Sequence, residues 1–113
     1  MSQRDLQIDW LTCFVAVVDA GSLSGAAAVV HRSQSAVSMQ LAKLEGALGR
    51  RLLERGPRRL QLTPDGQTLL GYARRMLDLQ AEARAAVFRQ ELSGRVRLGR
   101  IQAVEGPALP PRQ

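Results

Sequence analysis

Apolar residues recur along the first part of the chain at the spacing of an amphipathic helix. Residues 9–20 carry an apolar arc that is wider than a surface helix needs, and another element or another subunit can cover the extra width. Trp10 and Val17 lie on the sides of this arc. The pattern predicts a helix with Asp9 as its N-cap and Gly21 at its end.

Two further helices are predicted next, joined by a short turn. One covers residues 23–30 after Ser22, and the other covers residues 34–48 after Ser33, both serines being preferred N-cap residues. This is the helix-turn-helix arrangement. The exposed side of the later helix is small, polar and almost uncharged, as a helix that enters a DNA major groove requires. Its residues are Gln34, Ser35, Ser38, Met39 and Ala42.

A basic β-hairpin is predicted after the third helix. Leu60 and Leu62 alternate with a polar residue at the period of a strand, and Gly56-Pro57 is a turn signal. Five arginines against one glutamate give residues 50–62 a charge of about +4. A charge run of this kind is often only a solvated loop, but its place after a helix-turn-helix favours contact with DNA.

The last predicted helix is too long for a small domain. It covers residues 64–92, with Thr63 as N-cap and Pro64 at its first position. Part of it follows a heptad spacing that is typical of helix pairing, whereas Leu70 and Leu77 face the first helix. The pattern indicates dimerisation; the alternative is a helix that folds back onto its own domain. The heptad positions are Leu69, Ala73, Met76, Gln80, Ala83 and Val87.

The composition is strongly basic. The net charge is +6 and the pI is about 11.2, which favours a polyanionic partner. Lys43 is the only lysine, so the basic residues are mostly arginines, whose planar fork matches phosphates and guanine edges. No segment has the ~18 apolar residues of a membrane span, and we therefore expect no membrane partner.

Few residues suggest catalysis or metal binding. Cys13 is the only cysteine and lies on an apolar helix face, which predicts a buried packing residue in a reducing compartment. His31 has no second histidine or cysteine nearby in the sequence with which to bind a metal. No base is placed to activate a serine. The sequence predicts a cytoplasmic protein that is not an enzyme and has no cofactor or metal.

Five segments together resemble the N-terminal region of LysR-type transcriptional regulators. They are FVAVVDAGSLSGAA from Phe14, HRSQSAVS from His31, LEGALG from Leu44, LERGPR from Leu53 and LTPDG from Leu62. The resemblance implies a mainly α fold, a winged helix-turn-helix of three helices and a two-stranded β wing, followed by a long dimerising linker helix. The domains expected are residues 1–63, 64–92 and 93–113, the last holding the first strand of an effector domain and a disordered tail.

The resemblance also implies roles for individual residues. Arg58 is expected to enter a minor groove from the wing, and Met39 departs from the arginine or polar residue common at its position. The expected base-reading residues are Gln34, Ser35, Ser38 and Met39. The expected phosphate contacts are Ser22, Ser33, Gln40, Lys43, Arg55, Arg59 and Thr63. The expected dimer contacts are Leu69, Ala73, Met76, Leu77, Gln80, Ala83, Val87, Trp10 and Val17.

The partners implied are double-stranded DNA, bound at a pseudo-palindromic promoter site, and a second copy of the chain. An effector-binding domain follows in the family, so we expect this chain to lack a small-molecule effector site and the surface for higher oligomers. Two alternatives stay open. The chain can act as an interaction module that pairs with full-length regulators, or it can belong to another winged-helix class such as the molybdate-responsive regulators.

Overall fold

The computed structural model describes residues 5–55 and 60–93, with side chains described as far as residue 90. Helix α1 covers Ile8–Ala20 and ends at Gly21, whose φ of 78° is left-handed and therefore suits glycine. The prediction of Asp9 as its N-cap is wrong. Gln7 occupies the cap without a side-chain hydrogen bond, and Asp9 lies in the first turn, where a carboxylate suits the helix dipole.

Helices α2 and α3 form the predicted helix-turn-helix. Helix α2 covers Leu23–Val30 and α3 covers Gln34–Leu48. The turn between them begins at His31, which ends α2 with a left-handed φ of 59°. Both helix-start predictions are confirmed, because the Ser22 and Ser33 hydroxyls accept hydrogen bonds from backbone N–H groups three residues later.

A two-stranded antiparallel sheet forms the wing. Strand β1 covers Leu53–Arg55 and β2 covers Leu60–Leu62, with Leu53 opposite Leu62 and Arg55 opposite Leu60. Helix α4 follows at once and covers Pro64–Ser93. Four helices and a two-stranded sheet in this order confirm the predicted winged helix-turn-helix fold.

The core lies among the first three helices, the segment before β1 and the first half of α4. Its largest fully buried side chains are Phe14, Leu11, Leu44 and Leu52. Ala26 is also fully buried and lets α2 lie close to its neighbours. Cys13 belongs to the same cluster, as predicted, and burial raises the pKa of its thiol.

The apolar arc of α1 is covered within a single chain. Val17 and Ala73 are 0% exposed, and Trp10 is buried in the same cluster. Leu69 and Leu77 are half-buried against that cluster. Trp10, Val17 and Ala73 are thus buried within the first compact unit, and their contact with a partner stays a prediction.

The chain divides into two compact units. The first extends to Leu79 and includes the helix-turn-helix, the wing and the first half of α4, so it continues past the expected boundary at residue 63. The second begins at Gln80, and its described part is helical. The strand and tail expected in residues 94–113 lie outside the described residues.

Candidate nucleic-acid interface

Helix α3 presents a polar face to solvent. Gln34, Ser35, Ser38 and Met39 are all exposed, and Met39 is exposed over 56% of its surface. Val37, Leu41 and Leu44, on the opposite side, are buried in the core. All the predicted base-reading residues therefore lie on the exposed side of α3. The opposite side of the helix is held in place by aliphatic packing.

The N-termini of α2 and α3 each carry a serine hydroxyl that caps the helix. Ser22 Oγ accepts a hydrogen bond from Gly25 N at 3.0 Å, and Ser33 Oγ accepts one from Ala36 N at 3.1 Å. Ser33 Oγ also lies 3.2 Å from Ser35 Oγ. Because capping uses only the oxygen as acceptor, the Ser22 hydroxyl and the positive helix ends suit a phosphate. In the contact between Ser33 and Ser35 either hydroxyl can donate, so one of the two hydrogens is used there.

Thr63 differs from the two serines. Its Oγ1 accepts from Gly66 N at 2.9 Å and donates to Arg51 O at 2.7 Å, and its backbone N donates to Leu52 O at 3.0 Å. Both donors of Thr63 are therefore committed inside the chain. Its N-cap role is confirmed. Its phosphate contact stays a prediction.

Gln40 and Lys43 lie beside the polar face of α3. Lys43 is exposed, as a phosphate contact requires. Gln40 is half-buried, and its Oε1 has no hydrogen-bond partner among the described residues. If Gln40 contacts a phosphate, its amide nitrogen is the group that does so, because a phosphate accepts hydrogen bonds and does not donate them at neutral pH.

The wing lies next to α3. A cleft between them is lined on one side by Ser38 and Ala42 of α3 and on the other by Arg51 and Arg55. Arg55 is exposed and, within the part of the chain that the structure describes, is not in an ion pair. The predicted contacts Arg58 and Arg59 lie outside the described residues.

Three exposed ion pairs involve other arginines of the described ranges. They join Arg32 to Asp9, Arg50 to Asp65 and Arg74 to Asp19. The last pair is bidentate, at 2.7 and 3.3 Å, and its hydrogen bond lowers the pKa of the Asp19 carboxyl. It links α1 to α4, which no local sequence signal indicates.

The segment before β1 contacts both α3 and the start of α4. Glu45 Oε2 accepts hydrogen bonds from Leu52 N at 2.7 Å and Leu53 N at 3.3 Å. The Thr63 hydroxyl donates a hydrogen bond to the carbonyl oxygen of Arg51, the residue before Leu52. The sequence around Glu45 predicts no role for it. The sequence signal for such a role is weak. Glu45 is a single carboxylate beside the apolar side of α3, shortly before the helix ends and the chain turns towards β1.

Helix α4 also presents apolar residues to solvent. In the first compact unit these are Tyr72, Met76 and Leu79, which follow a four-three spacing and lie on one face. In the second unit Ala83 and Val87 are exposed and lie four residues apart in the sequence. Tyr72, Met76 and Leu79 form the exposed stripe of the first unit. Met76, Ala83 and Val87 belong to the predicted seam, whereas Leu69 and Ala73 of that seam face the core of the first unit.

The described residues were also searched for a metal site and for a membrane-spanning helix. No group of three or more histidine, cysteine or acidic side chains there can hold a metal ion. His31 is exposed at the end of α2. Among the residues searched, no helix combines the length and apolarity that crossing a membrane requires.

The structure contains a capped helix-turn-helix, whose second helix presents a polar face to solvent, and a wing that follows it. These features define a winged helix-turn-helix protein. The model of the bacterial regulatory helix-turn-helix proteins of the lysR family matches residues 8–67, more than half of the chain. The chain therefore belongs to the LysR family. This membership confirms the resemblance and sets aside the molybdate-responsive alternative.

Curated relatives agree with this assignment. The regulator PecT of Dickeya dadantii is 38% identical over 94% of this chain, which spans 34% of PecT. The nitrogen assimilation regulatory protein nac of Escherichia coli is 44% identical over 79% of the chain and 30% of its own length. The chain thus spans about a third of these relatives, which are transcriptional regulators rather than enzymes.

Solved structures show the same fold. The BenM DBD in complex with catB site 1 DNA is 34% identical, with a TM-score of 0.72 over 75% of this chain and 94% of that one. The CbnR DBD in complex with DNA is 37% identical, with a TM-score of 0.67 over 79% of this chain and 99% of that one.

Proposed function

We propose that this chain is the sequence-specific DNA-binding region of a transcriptional regulator, and that it binds double-stranded DNA as a homodimer in the cytoplasm. The observation that carries the proposal is the exposed, uncharged polar face of α3, beside a wing whose Arg55 makes no ion pair with the residues that the structure describes. The BenM and CbnR structures support it, because both pair this fold with DNA.

Base reading is assigned to the outward face of α3. Gln34 lies at the N-terminal end of the helix, where side chains reach the floor of a major groove, and its amide can pair with both adenine edge groups. Ser35 and Ser38 supply short hydroxyls, and Met39 suits a thymine methyl. Arg58 is assigned to the adjacent minor groove by resemblance, which favours flanks rich in A·T pairs.

Replacing Gln34 by alanine is expected to relax selectivity at one base pair and to weaken binding there by about 1–3 kcal/mol. The probe is the duplex that the purified chain enriches most from a random pool. Fluorescence anisotropy on that duplex and on its single-base variants gives the measurement. An enrichment step without any consensus would contradict the proposed function itself.

Lys43→Ala is the comparison variant, because Lys43 is exposed on the same helix but suits a phosphate. Its removal should weaken binding to all sequences alike and reduce the salt slope by about 1. If Gln34→Ala also weakens every duplex equally, its base-reading role is wrong while DNA binding stands.

We infer that dimerisation uses the exposed stripe of α4 within the expected linker helix, residues 64–92. Tyr72 and Leu79 present more than half of their surface to solvent, and Met76 lies between them. Apolar residues at this spacing are typical of helices that pair. A dimer would place two copies of α3 on one DNA duplex, so we expect its binding site to be pseudo-palindromic.

Leu79→Glu is expected to raise the dimer dissociation constant at least about tenfold, because pairing would desolvate a carboxylate. Gln67→Glu adds the same charge to an exposed position of the same helix and should leave the constant unchanged. Sedimentation equilibrium measures both. Equal dissociation constants in the two variants would show that the dimer contact lies elsewhere. Failure of the wild-type chain to dimerise would show that the chain is monomeric.

A further inference from the structure

We propose that Glu45 is a positioning residue, which fixes the wing to α3 and thereby determines how Arg55 contributes to DNA binding. The proposal rests on the proposed function. Glu45 lies in the second half of α3, is half-buried, and lines the cleft between α3 and the wing. It does not have to touch DNA to act in this way.

The contacts of Glu45 reach across to the start of the wing. Its Oε2 accepts hydrogen bonds from two successive backbone N–H groups, those of Leu52 and Leu53. An ionised carboxylate makes such bonds about twice as strong as a neutral acceptor does. Leu53 is the first residue of β1, so the bonds determine where that strand begins relative to α3.

The other side of the same segment contacts the start of α4. Thr63 N donates to Leu52 O, and the Thr63 hydroxyl donates to Arg51 O. Gly66 lies so close to Leu52 O that a Cβ would overlap it. The backbone of residues 51–53 is thus enclosed between two helices, and Glu45 supplies the hydrogen bonds from the α3 side.

Charge alone predicts the opposite behaviour for this residue. A carboxylate in a cleft that Arg51 and Arg55 also line lowers the positive potential that attracts DNA. If Glu45 acted only through its charge, its removal would tighten DNA binding. If Glu45 positions β1, its removal weakens binding, because Arg55 lies in that strand. The sign of the effect therefore separates the two explanations.

The experiment measures binding to the duplex that the wild-type chain selects from a random pool. Glu45→Ala is expected to weaken binding about tenfold or more, a factor that corresponds to about 1.4 kcal/mol. Glu54→Ala removes the same charge from an exposed position of β1 and should leave binding unchanged or tighter. Glu45→Gln keeps an acceptor oxygen and should remain within about threefold of wild type.

A double-mutant cycle with Arg55→Ala tests the positioning role. Arg55→Ala should weaken binding by wild type and Glu45→Gln alike, but cost much less in Glu45→Ala, where the strand has already lost its position. A merely structural Glu45 would lower the melting temperature and leave the two costs additive. Circular dichroism melts identify unfolding, and Glu45→Asp, whose shorter side chain keeps the charge, replaces Glu45→Ala in the cycle if that variant does not fold.

Two outcomes would overturn the positioning role of Glu45 and leave the proposed function intact. One is Glu45→Ala or its replacement binding as tightly as Glu54→Ala, and the other is an additive cycle. Failure of the wild-type chain to enrich any sequence is a different result, which would overturn the proposed function together with this inference.

Discussion

Phe14→Ala is expected to lower the free energy of unfolding by about 3–5 kcal/mol, because it removes the largest fully buried side chain of the core. Phe14 is 0% exposed and lies in α1 among residues from α2, α3 and α4. The loss is a large part of the ~5–15 kcal/mol that stabilises a typical domain. Chemical denaturation followed by circular dichroism measures it.

Phe88→Ala is the matched control, since the chain has one other phenylalanine and it is 54% exposed. Its truncation should change the free energy of unfolding by less than about 0.5 kcal/mol, as is usual for surface substitutions. A similar loss in both variants would mean that the core is not where the fold places it. A small loss in Phe14→Ala would lead to the same conclusion.

Gly66→Ala is expected to destabilise the chain by about 1–3 kcal/mol, although alanine usually favours a helix. A Cβ at this position would overlap the Leu52 carbonyl oxygen and approach Leu62 Cδ2 to 2.9 Å. The first obstacle is backbone, so the segment before β1 or the start of α4 has to move. DNA binding should fall with stability, because the same segment carries the wing.

Gly71→Ala, in the same helix, should have the opposite effect. No heavy atom lies within 4 Å of a Cβ built there, and alanine in a helix interior is favoured by about 0.5–1 kcal/mol over glycine. Thermal unfolding of the two variants side by side gives the comparison. Equal stabilisation by both alanines would show that α4 does not press against the segment before β1.

The helix boundaries were predictable because they depend on neighbouring residues. A serine hydroxyl needs only the N–H groups two or three residues later, so the starts of α2 and α3 follow from Ser22 and Ser33. The ends at Gly21 and Gly49 follow from the same local rule, since left-handed backbone favours glycine. The N-cap of α1 was missed because Asp9 suits two adjacent roles, cap or first turn, and sequence does not separate them.

The contacts between elements were not predictable from spacing alone. A heptad pattern shows that Ala73 is on an apolar side of α4, but not whether that side faces a partner or the chain's own core. Likewise, nothing local distinguishes Glu45 from a solvated carboxylate, because the backbone N–H groups that donate to its Oε2 lie seven and eight residues further along. Charge at the candidate site was easier to predict, since the composition of residues 50–62 already shows it.

Lys43 has a practical consequence. It carries the only lysine ε-amine of the chain and is exposed on α3. An acylating reagent therefore modifies a single side chain, apart from any terminal amine, and converts its cation into a neutral amide. If DNA binds along α3 as proposed, it covers that amine. The rate of acylation at Lys43, measured by mass spectrometry, then reports the fraction of protein occupied by DNA, without any engineered label.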